Sequence, residues 1–171
     1  MKSVKLLLLS FCITLFFTSC AKESQPISPS IESNELILYA DTVQASPGET
    51  TQVAIRIQNN PGILGMTLSV HFDESKCQLV DVKNGDALDV LHLTPSKQLE
   101  NGARFLWDGL ELSDDEIQDG KVLIMEFKIS NEAEGYCPIT VKTLSGDIFD
   151  RHLNVISPLV QSGEIIIKER N

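Results

Sequence analysis

Short stretches in which apolar and polar residues alternate dominate the chain from Glu35 onward. The clearest stretch spans residues 66–72, where apolar positions (Met66, Leu68, Val70 and Phe72) alternate with polar ones (Thr67, Ser69 and His71). A period of two residues is typical of a β-strand with one buried face. We therefore predict a strand here, with Thr67 and Ser69 facing outward.

Further stretches predict strands at 36–40, 53–57, 78–82, 103–107, 122–129, 139–142 and 164–167. Turn signals rich in Gly, Asn and Pro separate several of them. Residues 88–93 fit either a strand or a short helical excursion. Residues 113–118 begin like a capped helical turn, because Ser113 stands three positions before Glu116. Eight or nine short strands predict an all-β fold, an antiparallel sandwich or barrel.

The N-terminus has the organisation of a secretory signal. Lys2 and Lys5 precede an apolar run at 6–17, which is shorter than the ~20 residues that a bilayer-spanning helix needs. Small residues then precede Cys20, and residues 17–20 (FTSC) resemble the lipobox of bacterial lipoproteins, whose cysteine is acylated and becomes the mature N-terminus. The alternative is a plain signal peptide with an incidental cysteine.

These features predict three segments. Residues 1–19 are a lipoprotein signal peptide, 20–34 are the lipidated Cys20 with a flexible linker rich in Ser, Pro and Glu, and 35–171 form one β-sandwich domain. We expect an exported protein, at the cell surface or in the periplasm, that contacts the membrane only through its lipid.

Composition excludes several functions. The net charge of −10 disfavours nucleic-acid binding, and the spacing of three His and four Cys does not fit a zinc site. Because nucleophile-elbow, zinc-protease and phosphate-loop motifs are missing, we expect no enzyme and no cofactor. The acidic residues of 114–119 could bind a cation, but a solvated loop is the favoured interpretation. Alternation places Phe105 and Trp107 inside, which disfavours Trp107 as a sugar platform, and turns Leu106 outward.

Cys77 and Cys137 remain once Cys12 is cleaved off and Cys20 is acylated. Export would permit a disulfide, which would close a loop of about 60 residues and stabilise the fold by roughly 4 kcal/mol. Two free thiols that pack as small apolar residues are the alternative.

An ordered series of motifs resembles the cohesin family. SPGET at 46–50 precedes the strand at 53–57, NPGILG at 60–65 precedes a strand that ends in His-Phe-Asp-Glu, and LVDV follows at 79–82. The second half agrees in order and rough spacing, through GARFLWD, DGKVLIMEFKI, GYCPITV and SGEIII. The resemblance covers about residues 36–168 and implies a jelly-roll sandwich of about nine strands.

The resemblance also implies a function, which is to bind dockerins, small calcium-loaded helical modules of other proteins. Calcium would belong to the partner and not to this chain, which we expect to be a monomer. The implied contact residues are Gly65, Thr67, Ser69, Leu106, Asp108, Gly109, Glu111 and Leu153. The predicted function is thus a lipid-anchored cohesin that displays dockerin-bearing, polysaccharide-degrading proteins.

Two other hypotheses stay open. A carbohydrate-binding sandwich lipoprotein predicts an exposed row of aromatic residues, for which Tyr39, Tyr136 and a few Phe are the candidates. A periplasmic accessory domain or enzyme predicts a concave pocket with perturbed titratable groups.

Overall fold

The computed structural model describes residues 34–169, without the side chains of residues 96–98. This region folds into twelve β-strands and two short 3-10 helices, at Asp86–Leu88 and Asp114–Glu116. The strands are β1 (Ile37–Ala40), β2 (Val43–Ala45), β3 (Thr50–Gln58), β4 (Ile63–His71), β5 (Cys77–Asn84), β6 (His92–Leu99), β7 (Gly102–Asp108), β8 (Gly120–Ile129), β9 (Gly135–Lys142), β10 (Ile148–Asp150), β11 (Leu159–Gln161) and β12 (Gly163–Ile167). The predicted signal peptide, Cys20 and nearly all of the predicted linker lie outside the described residues.

The strands form two sheets. One has the order β11-β1-β3-β8-β5, and the other has the order β2-β12-β9-β4-β7-β6 with β10 also paired to β4. The chain passes repeatedly from one sheet to the other, as in a jelly-roll sandwich. The predicted fold class is therefore confirmed, although β1–β11 and β2–β12 are parallel pairs.

The predicted number of about nine strands is wrong. Three of the additional strands, β2, β10 and β11, contain three residues each, which is too short for a period of two to be recognised. Residues 88–93, for which either a strand or a short helical excursion was predicted, contain a part of each. A 3-10 turn ends at Leu88, and β6 begins at His92. The predicted capped turn is confirmed, with a capping box between Ser113 and Glu116.

The core lies between the sheets and follows the predicted alternation. Met66, Leu68 and Val70 of β4 are buried, as are Phe105 and Trp107 of β7. Burial of these side chains fixes the register of β4 against β7, because a slip of one residue would turn every side chain to the other face. Within residues 34–169 no helix is long and apolar enough to cross a bilayer.

Candidate functional site

The outer face of β4 and its neighbours brings most of the predicted contact residues together. Gly65 is paired with Asp108 of β7 on one side and Phe149 of β10 on the other, and Thr67 is paired with Leu106. Directly opposed residues in an antiparallel ladder project from the same face of the sheet. Gly65, Thr67, Leu106 and Asp108 therefore share one surface, which we call the docking face.

The centre of the docking face is apolar. Leu106 is 38% exposed between the buried Phe105 and Trp107, so its predicted outward orientation is confirmed. Phe149 lies beside Gly65 and is bridged to Val155, and both side chains are exposed. The sequence analysis missed these two residues, because the three-residue strand β10 gives no readable pattern.

Gly65 leaves a shallow hollow in this apolar surface. A Cβ added there would meet only the carbonyl oxygen of Trp107 within 4 Å, at 3.8 Å, which is an ordinary van der Waals contact. The fold therefore does not require glycine at this position. Because Gly65 has no side chain, it leaves a gap between its cross-strand neighbours Phe149 and Asp108 on the exposed face of the sheet.

A rigid turn presents Leu153 at the edge of the docking face. The buried carboxylate of Asp150 accepts hydrogen bonds from the backbone N–H of His152 and Asn154, both at 2.8 Å, and from Asn154 Nδ2 at 2.9 Å. The bond from the Asn154 side chain is the main cause that lowers the pKa of Asp150. This network holds Leu153 at φ +64°, a conformation that a leucine rarely adopts, with 73% of the residue exposed.

The loop after β7 adds an acidic border. Asp108 and Glu111 are exposed, as predicted for polar contact residues. An added Cβ at Gly109 would lie 2.6 Å from Leu91 Cδ2, so any larger residue here would require the Leu91 side chain to shift. Leu110, between Gly109 and Glu111, is fully exposed. The sequence analysis did not select this leucine, although it stands in a polar loop.

Ser69 shares the docking face but is covered by its neighbours. It is paired with Arg104 of β7 and Lys142 of β9, and it is only 8% exposed. Arg104 Nε donates a hydrogen bond to Ser69 Oγ at 3.2 Å. Ser69 therefore faces outward as predicted, but the long basic side chains that flank it cover it and form the surface there.

The acidic stretch 114–119 has partners within the chain. Asp114 forms an ion pair with Arg151, Glu116 caps the turn through Ser113, and Asp119 accepts a bond from the N–H of Asn60 at 2.9 Å. Among the described residues, no group of three or more His, Cys, Asp and Glu side chains is arranged to hold a metal ion.

A cleft of about 740 Å³ opens between the edge strand β5 and strands β6 and β7. Apolar side chains such as Phe72, Leu79 and Phe105 line it together with Asp81 and Arg104. The carboxylates whose pKa is lowered, such as Asp73 beside Ser75, owe the shift to hydrogen bonds in their own turns and lie outside this lining. The pattern of perturbed groups therefore does not point to the cleft.

The two tyrosines do not form an aromatic row. Tyr39 lies on β1 of one sheet and Tyr136 on β9 of the other. Lys76 Nζ lies 5.7 Å from the centre of the Tyr136 ring and donates a hydrogen bond to the Tyr136 carbonyl oxygen at 3.0 Å. This arrangement offers no flat platform of adjacent rings for a polysaccharide chain.

Cys77 and Cys137 are both buried free thiols in the described region. They belong to different sheets, because Cys77 begins β5 and Cys137 lies in β9. Neither residue reaches the docking face, since both side chains point into the sandwich.

Comparison with known proteins gives the family. The family model for the cohesin domain matches residues 38–167. A search of curated proteins returned no significant match.

Solved structures agree in fold. A non-cellulosomal cohesin from the archaeon Archaeoglobus fulgidus superposes with a TM-score of 0.67 at 16% identity, over 79% of this chain and 92% of that one. The sixth cohesin of Acetivibrio cellulolyticus scaffoldin B was solved in complex with a Cel5 dockerin mutant. It superposes with a TM-score of 0.67 at 17% identity, over 78% of this chain and 99% of that one. The OlpA cohesin of a type I cohesin–dockerin complex from Clostridium thermocellum superposes with a TM-score of 0.66 at 20% identity, over 79% of this chain and 100% of that one. Since the family model spans most of the chain and the fold agrees, the chain belongs to the cohesin family.

Proposed function

We propose that this protein binds a dockerin through the docking face and holds the dockerin-bearing protein at the cell envelope through a lipid on Cys20. The observation that carries the proposal is the apolar centre of the docking face, formed by Leu106, Phe149 and Val155, on a chain of the cohesin family. An apolar centre with a polar border is the usual anatomy of a protein interface.

The charge distribution on this face indicates the chemistry of the partner. On β7, Leu106 lies between Asp108 on one side and Arg104 on the other, Lys142 lies in the same row as Arg104, and the exposed Glu111 follows in the loop after Asp108. Asp108 lies four positions after Arg104 in β7, or about 13 Å along the strand. A partner helix fits best with an apolar stripe between a basic residue near Asp108 and an acidic residue near Arg104.

Binding, and not catalysis, is the proposed activity. A rigid sheet contributes affinity without the entropy cost of ordering its own backbone on association. The chain's own groups do not bind calcium in this proposal, because the metal belongs to the dockerin partner. The cargo would be a dockerin-bearing protein that degrades polysaccharides.

The anchor completes the proposal. The lipobox-like residues 17–20 and the linker that follows Cys20 would keep the domain at the membrane while leaving the docking face accessible. A strongly acidic domain would gain little from an anionic lipid surface, so a covalent lipid is a suitable attachment.

Titration calorimetry with recombinant, calcium-loaded dockerins from the same organism tests the binding face. Leu106→Asp places an unpaired charge in the apolar centre and should weaken binding at least 100-fold, which corresponds to about 2.7 kcal/mol. Leu159→Asp is the matched control, because Leu159 is also a partly exposed strand leucine, at 47% against 38% for Leu106, but lies on β11 of the other sheet. It should leave the affinity unchanged.

Each outcome is informative. Removal of calcium with a chelator should abolish binding by unfolding the partner, while the melting temperature of this protein stays the same. Loss of binding in Leu159→Asp but not in Leu106→Asp would mean that the interface lies on the sheet that contains β11, and not on the docking face. No binding to any dockerin of the organism would overturn the proposal as a whole.

A further inference from the structure

Two thiols from opposite sheets converge on one backbone carbonyl. Sγ of Cys77 and Sγ of Cys137 lie 3.5 Å and 3.9 Å from the carbonyl oxygen of Asp73. Both cysteines are essentially excluded from solvent. Each thiol is the main influence on the other, which raises the pKa of Cys77 and lowers the pKa of Cys137, in agreement with their shared position at the Asp73 carbonyl.

We propose that Cys77 and Cys137 form an intramolecular disulfide that joins the two sheets of the exported protein. The proposal is independent of dockerin binding, because neither residue lies on the docking face.

Oxidation would leave every buried polar group at this point satisfied. The Asp73 carbonyl oxygen already accepts hydrogen bonds from the backbone N–H of Lys76 at 3.0 Å and of Cys77 at 2.9 Å. These two donors fill its two lone pairs, so the weak S–H donors are surplus. Loss of both S–H groups therefore creates no buried acceptor without a partner.

The bond would lie where the chain crosses from one sheet to the other. β4 ends at His71 and β5 begins at Cys77, so residues 72–76 carry the chain between the sheets. β9, which holds Cys137, is hydrogen-bonded to β4 through His71 and Thr140. A disulfide would fix this crossing to its own neighbouring strand and prevent β5 from separating at the free edge of its sheet.

The redox step balances with a disulfide as oxidant. Two S–H bonds break and one S–S bond forms, while two electrons and two protons pass to the disulfide of an extracytoplasmic thiol–disulfide oxidoreductase, which leaves as a dithiol. In the test tube oxidised glutathione serves the same purpose. Since both thiols are buried, the bond forms during folding and is afterwards protected from reductants.

Peptide mapping of the full chain tests the bond directly. The protein is expressed with its own leader in an exporting host, unfolded in guanidinium with iodoacetamide and no reductant, and digested with trypsin. Cleavage after lysine gives peptides 77–83 and 129–142, each with one cysteine. We expect one cross-linked species of these two peptides, which reduction separates.

Recovery of both peptides singly, each alkylated, from the exported protein would overturn the proposal, and so would a bond of either cysteine to a second chain. A thermal measurement gives a second test. The wild type is unfolded, reduced and refolded with reductant present, and its melting temperature should then be about 10 °C lower than that of the untreated protein. Cys137→Ala is the control, in which reduction should change nothing. An equal fall in this variant would contradict the assignment.

Discussion

Nε1 of Trp107 donates a hydrogen bond to Oδ1 of Asn84 at 2.8 Å, across the interior between the two sheets. Nδ2 of the same asparagine donates to the carbonyl oxygens of Leu88 and Leu91, at 2.9 Å and 3.1 Å. One amide thus satisfies the buried indole and the turn that leads into β6. Because Trp107 directly follows Leu106 in β7, this contact also supports the docking face from behind.

Asn84→Leu should destabilise the fold without changing the surface. The substitution leaves the Trp107 N–H and two carbonyl groups without their partner, which we expect to lower the free energy of unfolding by about 3 kcal/mol. Guanidinium unfolding followed by Trp107 fluorescence measures it. Gln78→Leu, at an exposed position of the same strand, should change it by less than about 0.5 kcal/mol. Equal effects of the two variants would contradict this role of Asn84.

Gly65→Val should abolish the hollow in the docking face and leave the fold intact. Valine is favoured in strands, and a Cβ at this position meets only one atom at ordinary contact distance. We expect a dockerin affinity reduced 10- to 100-fold, a smaller reduction for Gly65→Ala, and an unchanged or higher melting temperature. Calorimetry and thermal unfolding provide the two readouts. Unchanged affinity in the valine variant would mean that no partner side chain enters the hollow, while Leu106→Asp tests the interface itself.

Leu153→Gly should weaken dockerin binding without lowering the stability of the fold. A positive φ of 64° suits glycine and strains leucine, so the variant should be equally stable or slightly more stable than the wild type. Loss of the exposed leucine should nevertheless weaken dockerin binding about 10-fold. Should the variant bind as well as the wild type, Leu153 is not a contact residue and its strain needs another explanation.

The turn that presents Leu153 should loosen at acidic pH. The pKa of Asp150 lies below its ordinary value of 3.8, so its contribution to stability is fully present above that value and is lost as the pH falls through the lowered pKa. Amide exchange of His152 and Asn154, corrected for its intrinsic pH dependence, should then show lower protection. Asp150→Ala should lower it already at pH 7. Protection that is identical in wild type and variant would rule out the carboxylate as the support of this turn.

Cys20→Ser should release the protein from the membrane. If residues 17–20 form a lipobox, the wild type incorporates a fatty-acid label and partitions into a detergent phase, and the variant does neither. Mass spectrometry of the mature N-terminus identifies the cleavage point. An unlabelled wild type cleaved near the same position would support the plain signal peptide instead.

The sequence was sufficient for the elements in which burial is periodic. In β4 and β7 every second side chain is in the core, so alternation alone assigned the inward Met66 and Trp107 and the outward Thr67 and Leu106. The capped turn at Ser113 was equally readable, because its hydrogen bonds join residues three positions apart. Such features depend on local spacing, which the order of residues records directly.

Only the tertiary structure decided what lies beside what. Phe149 adjoins Gly65, Arg104 covers Ser69, and Cys137 converges with Cys77 on the Asp73 carbonyl, although each pair is far apart in the chain. These neighbours follow from sheet order and strand register, which are set by burial of the whole core and not by any local pattern. The sequence by itself therefore determined the fold class and the outward residues of the long strands, whereas the shape and borders of the docking face required the packed sandwich.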